Sequence, residues 1–129
     1  MISKNIESDT DCFYLTQKLS LFLKNYSIPI GVGDAAHLIV NELATNIIKY
    51  GISGRITVYL KNTHKRSYIE IRSVDRGPGI EDIGSAIKEH YSSSNTLGLG
   101  LSSIKRLSDE LDVENMDPNG LLIKSKLYF

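Results

Sequence analysis

The chain has 129 residues, 41% of them apolar and 23% charged, which describes one domain of ordinary composition and excludes a disordered chain. Lys plus Arg number 15 and Asp plus Glu number 15, so the formal net charge is zero and no basic surplus is available for wrapping a nucleic-acid backbone. A single cysteine excludes an intrachain disulfide and a thiolate zinc cluster, and no apolar run approaches the roughly 18 residues that span a bilayer. The N-terminus also lacks the apolar stretch of a signal peptide. The expectation is a soluble, cytoplasmic protein with one domain over residues 1–129, binding neither nucleic acid nor membrane.

Residues 2–7 alternate weakly and predict a short edge strand. Ser8, Asp9, Thr10 and Asp11 offer helix N-cap chemistry. From Phe13 to Tyr26 the apolar positions Leu15, Leu19, Phe22, Leu23 and Tyr26 recur at three and four residues, which predicts an amphipathic helix. Cys12 in that segment reads as a buried small hydrophobe. Ile28 to Gly33 reads as a turn-rich connector, with Asp34 capping a second helix that runs to about Tyr50 and stops at Gly51. After an Ile52-Ser53-Gly54 turn, Ile56, Val58 and Leu60 at period two predict a half-buried strand. Asn62 to Lys65 is a hairpin turn, and Tyr68 to Val74 is the return strand.

Asp75-Arg76-Gly77-Pro78-Gly79 must be irregular, because two glycines flank a proline. A short helix is expected at 81–90. Tyr91 to Thr96 has the small, polar composition of a loop. Gly98-Leu99-Gly100 precedes a third helix from Leu101 to Leu111. Asp117 to Gly120 is a turn, and Leu121 to Phe129 is a closing strand. Strands joined by hairpins and interleaved with helices predict an α/β two-layer sandwich: a mixed, mainly antiparallel sheet with helices on one face.

Three stretches concentrate the chemistry. On the second helix Glu42 and Asn46 stand four apart, one above the other, in an apolar neighbourhood. A carboxylate there needs a partner or a task, unless the stripe faces water. Asp75 follows Ile69, Ile71 and Ser73 in strand parity, so it points inward, where an acceptor needs a donor. Either a ligand amine or its own glycine-rich turn could supply one. Gly98-Leu99-Gly100 opens a helix, an arrangement suited to anions. The Gly-Lys-Ser/Thr ending of a P-loop is absent. His37, His64 and His90 are scattered without ligand spacing.

The order of these stretches resembles the GHKL ATPase superfamily, whose ATP-binding domain is the Bergerat fold. Asn41 to Tyr50 resembles its N box, Asp75-Arg76-Gly77-Pro78-Gly79-Ile80 its first glycine box, and Gly98-Leu99-Gly100-Leu101 its second. The resemblance covers nearly the whole chain and implies ATP and Mg²⁺ as cofactors. It implies Asn46 as the Mg²⁺ ligand and Asp75 as acceptor from the adenine amine. Gly77, Gly79, Ile80, Gly98, Leu99, Gly100 and Leu101 would shape the nucleotide pocket. The Ser92–Thr96 loop and the helix start after Gly100 would cover the phosphates, and Lys49 would contact them.

Glu42 selects the branch. Histidine kinases usually place Asn at this position, whereas a serine hydroxyl or a water needs a base. The resemblance therefore implies Glu42 as catalytic base, and it points to the free-standing bacterial regulators of sigma factors rather than to a complete sensor kinase. Asn41 to Ile47, the Gly51–Gly54 turn and Gly98 to Leu107 are similar to the RsbT-type switch kinases of the stressosome. These phosphorylate STAS-domain scaffold and antagonist proteins and, on release, activate a PP2C-type phosphatase in a stress response. Two alternatives stand beside this one. The first is an anti-sigma kinase that sequesters a sigma factor and phosphorylates its antagonist. The second is a catalytically weak, nucleotide-gated binding module. One departure is Gly120-Leu121, where the family usually has Gly-Thr, with a threonine that helps bind the base.

Overall fold

The computed structural model describes residues 1–88 and 100–129. Strand β1 (Ile2–Ile6) leads into helix α1 (Asp9–Asn25) through a reciprocal cap. The Asp11 amide donates to Ser8 Oγ, and Asp11 Oδ2 accepts from the Glu7 amide at 2.9 Å and the Ser8 amide at 3.3 Å. Those donors, the Glu7 amide foremost, lower the Asp11 pKa. Leu15, Leu19, Phe22 and Leu23 form the buried stripe of α1, as their spacing predicts. Cys12 packs beside that stripe, and burial raises the pKa of its thiol.

Helix α2 spans Ile30–Tyr50, starting four residues before the expected Asp34 cap. Pro29 is the N-cap, with φ −55°, and its carbonyl accepts from the Gly33 amide at 2.9 Å. Gly31 and Gly33 read as turn residues in sequence, but Gly33 is a packing position. It faces α1, where a Cβ would lie 3.4 Å from Leu23 Cδ1, an ordinary van der Waals contact. Along α2, Ala36, Ile39, Val40, Leu43, Ala44 and Ile47 are buried at helical spacing.

Strands β2 (Gly54–Asn62) and β3 (Ser67–Asp75) form the expected hairpin, and its turn is closed by Thr63, whose amide donates to the Arg66 carbonyl at 3.0 Å. Helix α3 is Ile83–Ile87, capped by Asp82. Helix α4 is Leu101–Leu107, shorter than expected, and it is followed by a strand absent from the sequence reading, β4 (Glu110–Asn115). The helix stops because Ser108 leaves helical geometry (ψ 143°) while its hydroxyl caps the Ile104 carbonyl at 2.6 Å. Strand β5 is Leu121–Tyr128.

The sheet order is β1-β2-β3-β5-β4, and every pairing among the described residues is antiparallel. The two-layer α/β expectation therefore holds. Ile56, Val58, Ile69, Ile71, Ile123 and Leu127 meet α2 in a single core, which Ile6, Leu101 and Ile104 complete. Successive residues on a strand point to opposite faces, so Thr57, Tyr59, Arg72 and Lys124 stand on the face the helices leave open.

One turn is strained. Ile52, a β-branched residue, sits at φ 65° and is 76% exposed, so it gains no burial for its left-handed backbone. Asn tolerates this conformation. Ile52→Asn is expected to stabilise the protein by about 1 kcal/mol. A thermal scan should read this as a rise in Tm of about 3 °C.

Candidate functional site

The C-terminal half of α2, the end of β3 and the start of α4 converge on one edge of the core. Glycines permit this. A Cβ on Gly77 would lie 2.5 Å from the Tyr50 carbonyl and 2.8 Å from Gly51 Cα, so only a bare backbone can pass there. The Arg76 amide donates to the Gly51 and Ser53 carbonyls at 3.2 and 3.0 Å, tying the end of β3 to the turn after α2.

Asp75 is 8% exposed and inward-facing, as strand parity predicts. Its Oδ1 accepts from the Gly77 amide at 2.9 Å, so the carboxylate does cap its own turn. That leaves acceptor capacity, since a carboxylate offers about four lone-pair sites. Burial raises its pKa, with the Gly77 and Leu121 amides opposing the rise.

Asp75 lines a narrow crevice of about 20 Å³ together with Asn46, Tyr50, Pro78, Gly79, Ile80 and Leu121. Asn46 is 9% exposed, and its side-chain amide makes no hydrogen bond among the described residues. Its polar atoms nevertheless reach the crevice surface, where a ligand or water can meet them. Its carbonyl oxygen suits a hard cation such as Mg²⁺, which takes few protein ligands and keeps several waters or phosphate oxygens. The donor set therefore fits Mg²⁺ held largely by a nucleotide. No cluster of three or more His, Cys, Asp or Glu among the described residues suggests a separate metal cage.

Glu42 lies one turn up α2 from Asn46, half-buried. It abuts Gly100, the N-cap of α4, which adopts φ 85°. A Cβ at Gly100 would overlap the Glu42 carboxylate, so a side chain there would displace the acid as well as strain the backbone. Crevice, Asn46 and Glu42 thus form a line along α2, leading from the buried Asp75 to the start of α4.

The other expected site residues divide. Gly79 and Ile80 line the crevice, whereas Gly77 shapes it from behind. Lys49 is exposed on the last turn of α2. The Leu101 side chain is fully buried in the core, so only its backbone is available to a ligand. Gly98, Leu99, the Ser92–Thr96 loop and His90 lie outside the described residues. His37 hydrogen-bonds Ser20 at 3.2 Å, and His64 sits in the β2–β3 turn, both ordinary placements.

Two residues were missed in the sequence. Tyr50 lines the crevice, and its position four residues after Asn46 was a usable signal. Asn115 ends β4 and clamps the glycine loop. Its Oδ1 accepts from the Ile80 amide at 2.8 Å, and its Nδ2 donates to the Ile80 carbonyl at 2.7 Å. Nothing pointed to Asn115 without the strand that carries it.

A sequence model of the family described as histidine kinase-, DNA gyrase B-, and HSP90-like ATPase matches residues 31–125. The serine/threonine-protein kinase RsbT of Bacillus subtilis (strain 168) is 32% identical over 106 residues, covering 79% of this chain and 80% of that protein. The anti-sigma F factor of Thermoanaerobacter sp. (strain X514) is 30% identical over 93 residues, covering 69% of this chain and 65% of that protein. The anti-sigma F factor of Thermoanaerobacter pseudethanolicus (strain ATCC 33223 / 39E) matches to the same extent.

Proposed function

Because the chain belongs to the histidine kinase-, DNA gyrase B- and HSP90-like ATPase family, we propose that it is an ATP-dependent serine/threonine protein kinase acting by partner switching. The observation that carries this reading is the half-buried Glu42 carboxylate, one helical turn from the unpartnered Asn46 amide. A hydroxyl acceptor needs such a base.

In the proposed reaction Asp75 accepts from the adenine amine at the crevice, which at about 20 Å³ must widen to admit the base. Asn46 Oδ1 would hold Mg²⁺, which when bound would neutralise charge on the phosphates. Glu42 takes the proton from the incoming Ser or Thr hydroxyl. That oxygen bonds to the γ-phosphorus as the bond to the bridging oxygen of ADP breaks. Lys49, Gly98, Leu99 and Gly100 would contact the phosphates, with the backbone of Leu101.

The finer reading is a switch kinase. The acceptors are STAS-domain scaffold and antagonist proteins, and the released kinase activates a PP2C-type phosphatase in a stressosome pathway. Residues 1–129 act as one catalytic domain in the cytoplasm. No helix among the described residues is long and apolar enough to cross a membrane. The anti-sigma F relatives favour a second reading, in which a sigma factor is sequestered and its antagonist is phosphorylated. Incubation with γ-labelled ATP, a STAS-domain protein and a sigma factor separates the two. Label on the STAS protein without sigma binding supports the switch kinase. Stable sigma binding supports the anti-sigma branch, and no label on any protein refutes kinase activity.

Two crevice residues tune affinity under this reading. Leu121 is buried and apolar where a threonine would hydrogen-bond toward the base. Leu121→Thr is expected to tighten ATP binding about fivefold by calorimetry, the worth of one added hydrogen bond. Asn115→Ala releases both bonds to Ile80 and is expected to weaken ATP binding about tenfold. Asn115→Asp keeps the acceptor for the Ile80 amide and should fall between. Equal affinity in all three proteins, with only Tm lowered, would leave Asn115 a purely structural clamp.

A further inference from the structure

A second cavity is far larger than the crevice. It is a groove of about 470 Å³ at one end of the open sheet face, on the opposite side from α2. The groove is hollow because Thr57 and Val74 are short, while Arg55, Arg72 and Arg76 rise around them and only the backbone of Gly54 reaches its floor. Glu7 is the single carboxylate among the lining residues, and it pairs with none of these arginines; with Arg72 neutralised by Glu70 beside the groove, Arg55 and Arg76 against Glu7 leave a surplus of one positive charge.

Arg55 and Arg76 are held in place without being neutralised. Arg55 Nη1 donates to Asn5 Oδ1 at 2.8 Å. Arg76 donates through Nε and Nη2 to Ser53 Oγ at 2.9 and 2.5 Å. Neither has a carboxylate partner among the described residues. Arg72 pairs with Glu70 at 2.7 Å, and its Nε, buried from solvent, has no hydrogen-bond partner among the described residues. A neutral clamp fixes the guanidinium fork and leaves its charge to attract a ligand. Guanidinium forks match phosphate oxygens two at a time. A phosphate monoester carries about −1.5 to −2 charge at neutral pH, which the two unneutralised guanidiniums of Arg55 and Arg76 can meet. The groove also far exceeds one phosphate in volume and runs beside β1, the edge strand of the sheet, leaving room for flanking residues of a peptide.

We propose that this groove docks a phosphoserine or phosphothreonine of a partner protein, remote from the nucleotide crevice. The proposal rests on the partner-switching kinase reading for its source of phosphorylated partner. In that setting it would retain the phosphorylated product after transfer, and hold it on the face opposite Glu42.

The test is an amide NMR titration of the full chain without nucleotide. The probes are a phosphothreonine peptide of otherwise small neutral residues, its unphosphorylated twin, its glutamate twin and inorganic phosphate. The expected result is saturable shifts confined to Gly54, Arg55, Thr57 and Val74. The phosphopeptide should bind at least tenfold tighter than the other three probes. Arg55→Gln should weaken it at least tenfold, and Arg55→Lys by a smaller factor, since charge remains but the fork is lost. Four outcomes overturn the proposal: no shifts, equal binding of the glutamate twin, equal binding of inorganic phosphate, or a change of oligomeric state in Arg55→Gln showing that a second copy fills the groove. ATP binding and phosphate transfer by Arg55→Gln, measured separately, report on the kinase reading independently of the groove.

Discussion

Glu42→Gln is expected to lower phosphate transfer by a factor of about a hundred to ten thousand, the usual contribution of a general base. ATP affinity should change by less than about threefold, because the crevice residues are untouched and the amide keeps the carboxylate's shape. The loss follows from chemistry rather than packing: an amide cannot take the proton that the attacking hydroxyl must shed. Gly100→Ala should reproduce part of the defect, since its Cβ would occupy the space of the Glu42 carboxylate. Rates from single-turnover assays, set against ATP affinities by calorimetry, distinguish this from a folding defect. A Glu42→Gln protein transferring at the wild-type rate would remove Glu42 from the mechanism.

Asp75→Asn is expected to have the second largest effect, on binding instead of turnover. The variant's oxygen can still accept from the Gly77 amide, but its second group becomes a donor facing the adenine amine. The loss of a charge-assisted hydrogen bond, with a donor left opposite a donor, should weaken ATP binding by about tenfold to a hundredfold. Stability should respond differently. Burial raises the Asp75 pKa, so the folded protein binds this proton more tightly than the unfolded chain. Asp75 therefore costs stability as pH rises from the ordinary value of 3.8 through the raised folded value, and the cost is complete above it. Asp75→Asn lacks that slope. Asp11 and Asp82, whose pKa values are lowered by backbone and side-chain donors, contribute stability above 3.8 that is lost on acidification, the opposite sign. The difference between wild type and variant, by urea unfolding across this acidic range, isolates the Asp75 contribution.

Much of this arrangement was legible in residue spacing. The buried stripe of α1, the β2–β3 hairpin and the inward direction of Asp75 follow from periods of three to four and of two, because burial alone dictates them. The fold class followed from hairpins alternating with helices. What escaped depends on tertiary contacts. The early start of α2 has Pro29 as N-cap, its carbonyl accepting from the Gly33 amide, where the glycines read locally as a turn. The end of α4 rests on Ser108, whose hydroxyl caps Ile104 and meets Ser125 Oγ at 2.6 Å on β5. Sequence periodicity continued through Leu111, so the helix seemed to run on, and β4 with its Asn115 was hidden behind it. In the site, Asn46, Asp75, Gly79 and Ile80 were readable from motif order. The contact between Glu42 and Gly100 was not, because it joins helices far apart in the chain.

The most direct measurement is single-turnover transfer from γ-labelled ATP and Mg²⁺ to a STAS-domain protein, comparing wild type with Glu42→Gln. The account predicts label on a serine or threonine of the partner with wild type, and bound but untransferred ATP with the variant. Label released only as inorganic phosphate, or transfer unaffected by the substitution, would contradict it.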